Sequence, residues 1–188
     1  MGRGVGGGGL NYTWYVERAG GMLAFVLLTG SVVLGLLLSN KTSLKRWPRF
    51  ALEDVHRYVG LLAGAFIAIH VGALLFDNFM PFSLAGVLVP GADSYRPPAV
   101  AAGVIGAELF AALALANRYR KSLSYRFWRR THYLNFAVWG LAFVHGLFAG
   151  SDTGSAWALA MYLVAATLVA SLTAGRFVAP EGHRPAVR

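Results

Sequence analysis

The chain has 188 residues, of which 56% are hydrophobic and 13% are charged, and its mean hydropathy is +0.54. This composition excludes an ordinary soluble domain and indicates one membrane domain. The chain contains no cysteine, which excludes disulfides, thiolate-bound iron–sulfur clusters and cysteine-based zinc sites and leaves histidine as the obvious metal ligand.

A glycine-rich segment opens the chain, and we expect residues 1–13 to form a flexible arm that lacks the cleavage site of a signal peptide. Apolar stretches follow, each near the length of about 20 residues that a membrane-crossing helix requires. They lie at residues 21–39, 56–76, 99–117, 132–149 and 156–175. A polar cytoplasmic tail is expected at residues 177–188. The sequence therefore predicts an all-α, polytopic membrane bundle with five transmembrane helices, in a domain that covers residues 14–176.

The net charge of +9 is distributed unevenly between the predicted loops. If the chain crosses five times, fourteen of its seventeen basic residues fall on one side, and only Arg3, Arg18 and Arg96 fall on the other. The positive-inside rule then predicts that the N-terminus is outside and the C-terminus is in the cytoplasm of a multi-pass plasma-membrane protein. Because the basic residues lie beside apolar spans, we expect them to contact membrane lipid, and we expect no nucleic-acid binding.

Four of the five histidines lie at the ends of apolar stretches, and the fifth, His183, lies in the tail. His56 and His70 are fourteen residues apart, and His132 and His145 are thirteen apart. The predicted topology puts His56 and His132 near the cytoplasmic face and His70 and His145 near the outer face, about 20 Å away. Two imidazoles at one level can bind an iron from opposite sides, as in six-coordinate haems that carry electrons. The sequence therefore predicts two stacked haems.

The two spacings fit ideal helices unequally. At about 100° per residue, fourteen residues bring His70 to within about 40° of His56, but thirteen leave His145 about 140° from His132. Either the fourth stretch contains a tighter 3₁₀ segment, or the two haems approach it from different directions. A simpler interpretation also remains open, in which each histidine only forms a hydrogen bond with a neighbouring helix.

The segments HRYVGLLAGAFIAIH (56–70) and WRRTHYLNFAVWGLAFVHG (128–146) resemble the ferric reductase-like transmembrane domain, the haem-bearing core of ferric reductases and NADPH oxidases. They are also similar to the haem-binding membrane subunit of methionine sulfoxide reductase systems. The resemblance covers residues 14–176. It implies that His56 with His132 holds an inner haem b and that His70 with His145 holds an outer haem b. The unequal spacing of the histidines is similar in the family.

Two features depart from the family pattern. Family oxidases and reductases usually carry a cytoplasmic domain for flavin and nicotinamide, whereas this sequence shows no glycine-rich nucleotide loop. The family often has six spans, and only five are counted here. We therefore expect any flavin or NAD(P)H to belong to a partner flavoprotein or partner reductase, and a quinone is an alternative partner.

Arginine is the expected partner of the haem propionates, because its guanidinium group can bind a carboxylate through two hydrogen bonds. Arg57 and Arg130 lie at the predicted depth of the inner haem, and Arg18 and Arg96 are the cations near the outer haem. The inner set also includes Arg49 and Arg129. Interfacial anchoring is the alternative role for these arginines.

Three further features concern the interior and the outer face. Glu108, in the middle of the third stretch, is expected to face the bundle interior, where it would relay a proton, accept a hydrogen bond from a ligand imidazole or contact a neighbouring helix. The outer loop 77–98 contains an apolar run too short to span and is expected to cover the outer haem. Glycines in the second and fourth stretches leave room for a macrocycle or for helix packing. They are Gly60, Gly64, Gly72, Gly140 and Gly146.

These patterns predict transmembrane electron transfer through two bis-histidine b-type haems. Electrons would pass from a cytoplasmic donor or a quinol to an extracytoplasmic acceptor or partner reductase. Six-coordinate iron offers no open position to a substrate, so an electron-transfer subunit of an oxidoreductase is favoured and no catalytic residue is predicted. The alternatives are a self-contained membrane ferric or quinone reductase and a haem-free metal or proton transporter.

Overall fold

The computed structural model describes residues 12–40, 47–77 and 82–178. Over these residues the regular structure is entirely helical, which confirms the all-α prediction for this part of the chain. The elements are α1 (Tyr12–Ser39), α2 (Arg49–Leu75), α3 (Leu84–Leu88), α4 (Pro97–Arg118), a 3₁₀ turn (Arg120–Ser122), α5 (Tyr125–His132), α6 (Asn135–Ala149) and α7 (Ala156–Val178).

Four helices are long and apolar enough to cross a membrane, so the chain is a multi-pass membrane protein. These candidate spans are Tyr12–Ser39, Arg49–Phe76, Pro97–Arg118 and Ala156–Arg176. The predicted stretch 132–149 is instead divided between α5 and α6. With 15 residues, α6 is about 22 Å long, which is less than a hydrocarbon core of about 30 Å. A fifth crossing and the orientation of the termini stay predictions.

The predicted terminal segments fall largely outside the described residues. This applies to residues 1–11 of the predicted arm, to residues 179–188 of the predicted tail and to His183. Helix α1 begins at Tyr12, so the last two positions of the predicted arm are helical. Helix α7 continues to Val178, beyond the predicted start of the tail.

Local sequence accounts for where several helices begin. Ser83 Oγ accepts a hydrogen bond from Gly86 N at 3.0 Å at the start of α3, and Ser124 Oγ accepts one from Phe127 N at 3.3 Å at the start of α5. Both are N-cap interactions that satisfy a backbone N–H without a partner in the helix. Helix α4 begins with proline, which suits a first turn because its missing N–H has no helical partner there.

Helix α1 organises the bundle. It packs along α2 and also contacts α6 and α7, while α4 packs along α6 and α2 contacts α4 only weakly. The indole Nε1 of Trp139 on α6 donates to Thr29 Oγ1 on α1 at 3.0 Å. The same indole packs against all three apolar clusters of the core. Since α1 contacts both α2 and α6, side chains from these two helices can meet beside it.

The outer surface of the bundle is apolar. Helix α2 buries only Leu52 and Ala63, and the side chain of Leu61 on this helix is 71% exposed. Apolar surface of this extent is rare on a protein surrounded by water. A bilayer covers such a surface without cost, because lipid tails are as apolar as the side chains themselves.

Candidate functional site

The histidines meet in two pairs between α2 and the α5–α6 segment. The ring centroids of His56 and His132 are 6.1 Å apart, and those of His70 and His145 are 6.2 Å apart. The two rings of each pair are steeply inclined, at 72° and 68°. Side chains that are far apart in sequence thus form one pair at each end of the bundle, which is the arrangement that the predicted depths require.

Three of these imidazoles are oriented by main-chain carbonyl groups of neighbouring helices. Nδ1 of His56 lies 2.9 Å from the Ser31 carbonyl oxygen, and Nδ1 of His70 lies 2.8 Å from that of Glu17, both on α1. A carbonyl oxygen only accepts, so in each case Nδ1 carries the hydrogen and Nε2 keeps its lone pair. Metal-binding histidines are typically oriented in this way.

His145 is held in the same manner, by α4 rather than α1. Its Nδ1 lies 2.9 Å from the carbonyl oxygen of Ala99. His132, the last residue of α5, has no carbonyl partner among the described residues, and its ring instead packs on Trp128 with centroids 5.4 Å apart. Both histidines of the outer pair are therefore oriented by hydrogen bonds, but only one histidine of the inner pair is.

A tightened turn between α5 and α6 reduces the angle between His132 and His145 by about 60° of the about 140° expected for an ideal helix. Tyr133 N bonds to the Arg130 carbonyl oxygen at 3.2 Å, and Leu134 N bonds to that of Thr131 at 3.0 Å. These i→i+3 bonds belong to a 3₁₀ turn of three residues, which advances about 120° per residue instead of 100°. The fourth stretch therefore departs from ideal helix geometry, as one of the two alternatives from the sequence requires.

Glycines provide the space that two of the rings occupy. A Cβ atom at Gly103 of α4 would lie 2.5 Å from His145 Nδ1, and one at Gly21 of α1 would lie 3.0 Å from His70 Nδ1. Real Cβ atoms essentially never approach to the first of these distances. Neither glycine was identified from the sequence, although each occupies the helix face that meets a histidine. Two of the glycines that were identified, Gly72 and Gly140, have nothing within 4 Å of the position that a Cβ atom would take.

The arginines predicted to bind propionates have protein partners in most cases. Arg18 forms a two-point ion pair with Asp152, in which Nε lies 2.9 Å from Oδ2. Arg96 Nη1 donates to the Phe148 carbonyl oxygen at 2.7 Å. The partners at the inner end are Asp54 for Arg57 and Glu53 for Arg49, whereas Arg130 is exposed on α5. Binding of a cofactor by these arginines stays a prediction.

Glu108 does not face the interior as its position in an apolar stretch led us to expect. The residue is exposed on α4. The acceptors beside the imidazoles are backbone oxygens, so the role of a carboxylate partner to a ligand imidazole is not met by Glu108. Its predicted placement was wrong because a single acidic residue in an apolar helix does not reveal which face of that helix packs inward.

A cavity surrounds the outer pair and extends toward the outer end of the bundle. Its wall includes His70 and His145, and it reaches the Arg18–Asp152 ion pair. The outer loop contributes to this wall, as expected from its apolar run, part of which forms α3. The loop residues concerned are Asp77, Phe82, Gly86, Val87 and Tyr95. Residues 78–81 of this loop lie outside the described part of the chain.

The donor set indicates which kind of metal group the pairs fit. Among the described residues, no group of three or more histidine, aspartate or glutamate side chains is placed to chelate a bare metal ion. Two imidazoles that each put a nitrogen about 2 Å from a shared ion would have ring centroids about 6 Å apart, close to the separations of both pairs. Such pairs suit an iron whose four other ligands come from a macrocycle.

Comparison with known proteins gives one family. The family model described as ferric reductase like transmembrane component matches residues 20–143, a stretch that includes three of the four paired histidines and ends two residues before His145. Neither the curated proteins nor the solved structures contain a match to the chain.

Proposed function

The chain belongs to the ferric reductase-like transmembrane family, and we propose that it carries electrons across the membrane through two b-type haems. His56 and His132 would hold the inner haem, and His70 and His145 would hold the outer one. The observation that supports this proposal most directly is the matching separation of the two ring pairs, 6.1 Å and 6.2 Å. A histidine that merely joins two helices has no reason to meet a second imidazole at this distance.

Haem iron with two imidazole ligands supplies reversible one-electron chemistry and offers no open position for a substrate. The protein's contribution is to prepare the ligands. The carbonyl groups of Ser31, Glu17 and Ala99 keep a hydrogen on Nδ1 of three histidines, so that Nε2 is available as the ligand atom.

The two pairs provide a path through the membrane rather than a single site. On α2 the fourteen residues between His56 and His70 correspond to about 20 Å along the helix. The basic, exposed residues of α5 lie at the end of the inner pair, which by the positive-inside rule would face the cytoplasm. Electrons would then enter at the inner pair from a cytoplasmic flavoprotein or quinol, and would leave at the outer pair to an acceptor or partner reductase.

We favour an electron-transfer subunit of the plasma membrane over a self-contained reductase. Each proposed haem iron would have an imidazole on both sides of the porphyrin and therefore no open position for a substrate. A substrate would have to accept electrons at the edge of the bundle and not at the metal. Proteoliposomes with a chemical reductant inside and a ferric chelate outside distinguish these two functions. Turnover without another protein would favour the reductase, whereas haem reduction without turnover would favour the subunit.

A reduced-minus-oxidised visible spectrum of the purified chain, with haem quantified against protein, tests the proposal. The expected result is low-spin haem bands and two haems per chain. His56→Ala and His70→Ala should each remove one haem and leave the other. Colourless protein after expression with ample porphyrin supply would contradict the proposal and would favour a haem-free transporter.

A further inference from the structure

The hydroxyl group of Tyr162 faces the outer cavity without a hydrogen-bond partner among the described residues. The residue is only 7% exposed. Its ring lies between Phe25 of α1, at a centroid distance of 5.0 Å, and Phe143 of α6, at 5.7 Å. The hydroxyl group of a largely buried tyrosine normally has a hydrogen-bond partner. The ring is thus held by the protein, whereas the hydroxyl still has a hydrogen to donate.

The hydroxyl lies next to the outer histidine pair. It is packed against Gly146, the residue that follows His145, so closely that a Cβ atom at position 146 would overlap the oxygen. Tyr162, Gly146 and His145 all contribute to the wall of the same cavity. The absence of a side chain at Gly146 therefore allows the phenol to reach the cavity at the level of His145.

The cations at this end of the bundle have other partners. Arg18 is paired with Asp152, and its guanidinium carbon also lies 3.9 Å from the ring centroid of Trp14. Arg96 donates to a main-chain carbonyl group outside the cavity wall. Tyr162 consequently supplies a donor that is not already used within the described structure, at a position where the sequence predicted a cationic partner for a cofactor.

We propose that Tyr162 is a ligand-binding residue of the outer cavity and donates a hydrogen bond to an acceptor oxygen of the molecule held there. The inference rests on the proposed function, because the outer pair is taken as the haem site. Two sources share this acceptor chemistry. One is a carboxylate at the edge of the outer porphyrin, and the other is a carbonyl oxygen of a separate lipophilic ring compound such as a quinone.

Tyr162→Phe tests the proposal in the purified, haem-loaded, full-length chain. The variant keeps the ring that packs on Phe25 and Phe143, so the fold should be retained. Redox titration identifies the outer haem as the one that His70→Ala removes. Tryptophan fluorescence measures binding of a short-chain quinone, since Trp14 lies in the cavity wall. Tyr58→Phe, which alters a 63% exposed tyrosine on α2, is the matched control.

If the acceptor is a porphyrin carboxylate, loss of the donor should destabilise the reduced, more negative state of the outer haem. Its midpoint potential should fall by about 59 mV, a tenfold change in the redox equilibrium, while the inner potential stays constant. If the acceptor is a quinone, the Kd for quinone should rise about tenfold with both potentials unchanged. Gly146→Ala, which displaces the hydroxyl, should reproduce the same effect.

Unchanged potentials and unchanged quinone affinity in Tyr162→Phe would overturn the inference. This failure is distinct from failure of the proposed function. In the first case the wild-type chain holds two haems, and Tyr162→Phe has the same potentials and the same quinone affinity as the wild type. In the second, the wild-type chain itself contains no haem.

Discussion

Gly103 on α4 lies directly against the imidazole of His145 on α6, so that a Cβ atom at position 103 would be 2.5 Å from Nδ1. We expect Gly103→Ala to push the ring away from its acceptor, the carbonyl oxygen of Ala99. The outer haem should be lost or weakly bound while the inner haem is retained, because a ligand that loses its orienting bond binds metal about 10-fold to 100-fold less tightly. Haem content and the reduced-minus-oxidised spectrum measure this effect.

Gly175→Ala on α7 is the matched control for this substitution. It also adds a methyl group to a membrane helix, but nothing lies within 4 Å of the added atom. Both haems should remain with their spectra unchanged. If Gly103→Ala behaves in the same way as the control, the position of His145 does not determine haem binding.

Gly21→Ala should affect the same haem more mildly. The added Cβ atom would lie 3.0 Å from His70 Nδ1, so a shift of a few tenths of an ångström by the ring would relieve the contact. We expect the outer haem to be present but to dissociate faster than in the wild type, as measured by transfer to an excess of a haem-accepting globin. The outer haem should dissociate more slowly from Gly21→Ala than from Gly103→Ala, and faster than from the wild type. Any other order contradicts the prediction.

The inner haem should be the more easily removed of the two. His132 packs on Trp128 and lacks the carbonyl partner that the other three histidines have within the described structure. Because such partners increase metal affinity, heating or haem extraction should empty the inner site first. His56→Ala and His70→Ala spectra identify which haem remains. Retention of the inner haem after loss of the outer one would show that carbonyl partners do not decide the relative affinities.

The ion pair between Arg18 and Asp152 should stabilise the fold measurably. Their side chains are 25% and 18% exposed, and they join the outer end of α1 to the segment between α6 and α7. Asp152→Ala leaves a partly buried guanidinium group with reduced pairing, which should lower the free energy of unfolding by about 1–3 kcal/mol. Denaturant titration in detergent, followed by tryptophan fluorescence, measures the change.

Glu53→Ala provides a comparison for Asp152→Ala. It removes the exposed partner of Arg49, four residues away on α2, where both side chains are more than half exposed. Pairs of this type contribute about 0.3–0.5 kcal/mol. Equal effects of the two substitutions would mean that the Arg18–Asp152 pair behaves as an ordinary surface pair.

Much of this architecture can be predicted from the sequence because it depends on period and length. The apolar stretches identify the helices, and the spacing of His56, His70, His132 and His145 indicates two levels at which side chains meet. The tightened turn at 133–134 could be stated only as one of two alternatives, because 3₁₀ geometry at a helix junction leaves no distinctive pattern of residues.

The features that the sequence did not reveal are relationships between distant segments. Arg18 and Asp152 are separated by 134 positions, and an arginine without a visible neighbour was naturally assigned to a cofactor. The acceptors for the imidazoles are main-chain oxygens, which every residue possesses and which therefore have no sequence signature. Gly21 and Gly103 could have been suspected only with knowledge of which helix faces meet His70 and His145.

The use of main-chain oxygens has a consequence for how this site can change. The side chains at positions 17 and 99 take no part in the bonds made by their carbonyl groups to the imidazoles, whereas Ser31 Oγ also lies 3.4 Å from Nδ1 of His56. Glu17→Gln or Ala99→Ser should therefore leave the orientation of the rings intact. What constrains α1 and α4 is the distance at which their backbones pass the histidines. This distance requires glycine at position 103 and leaves little room for a side chain at position 21. Widely different sequences can build the same pair of sites, provided that the helices approach as closely as they do here.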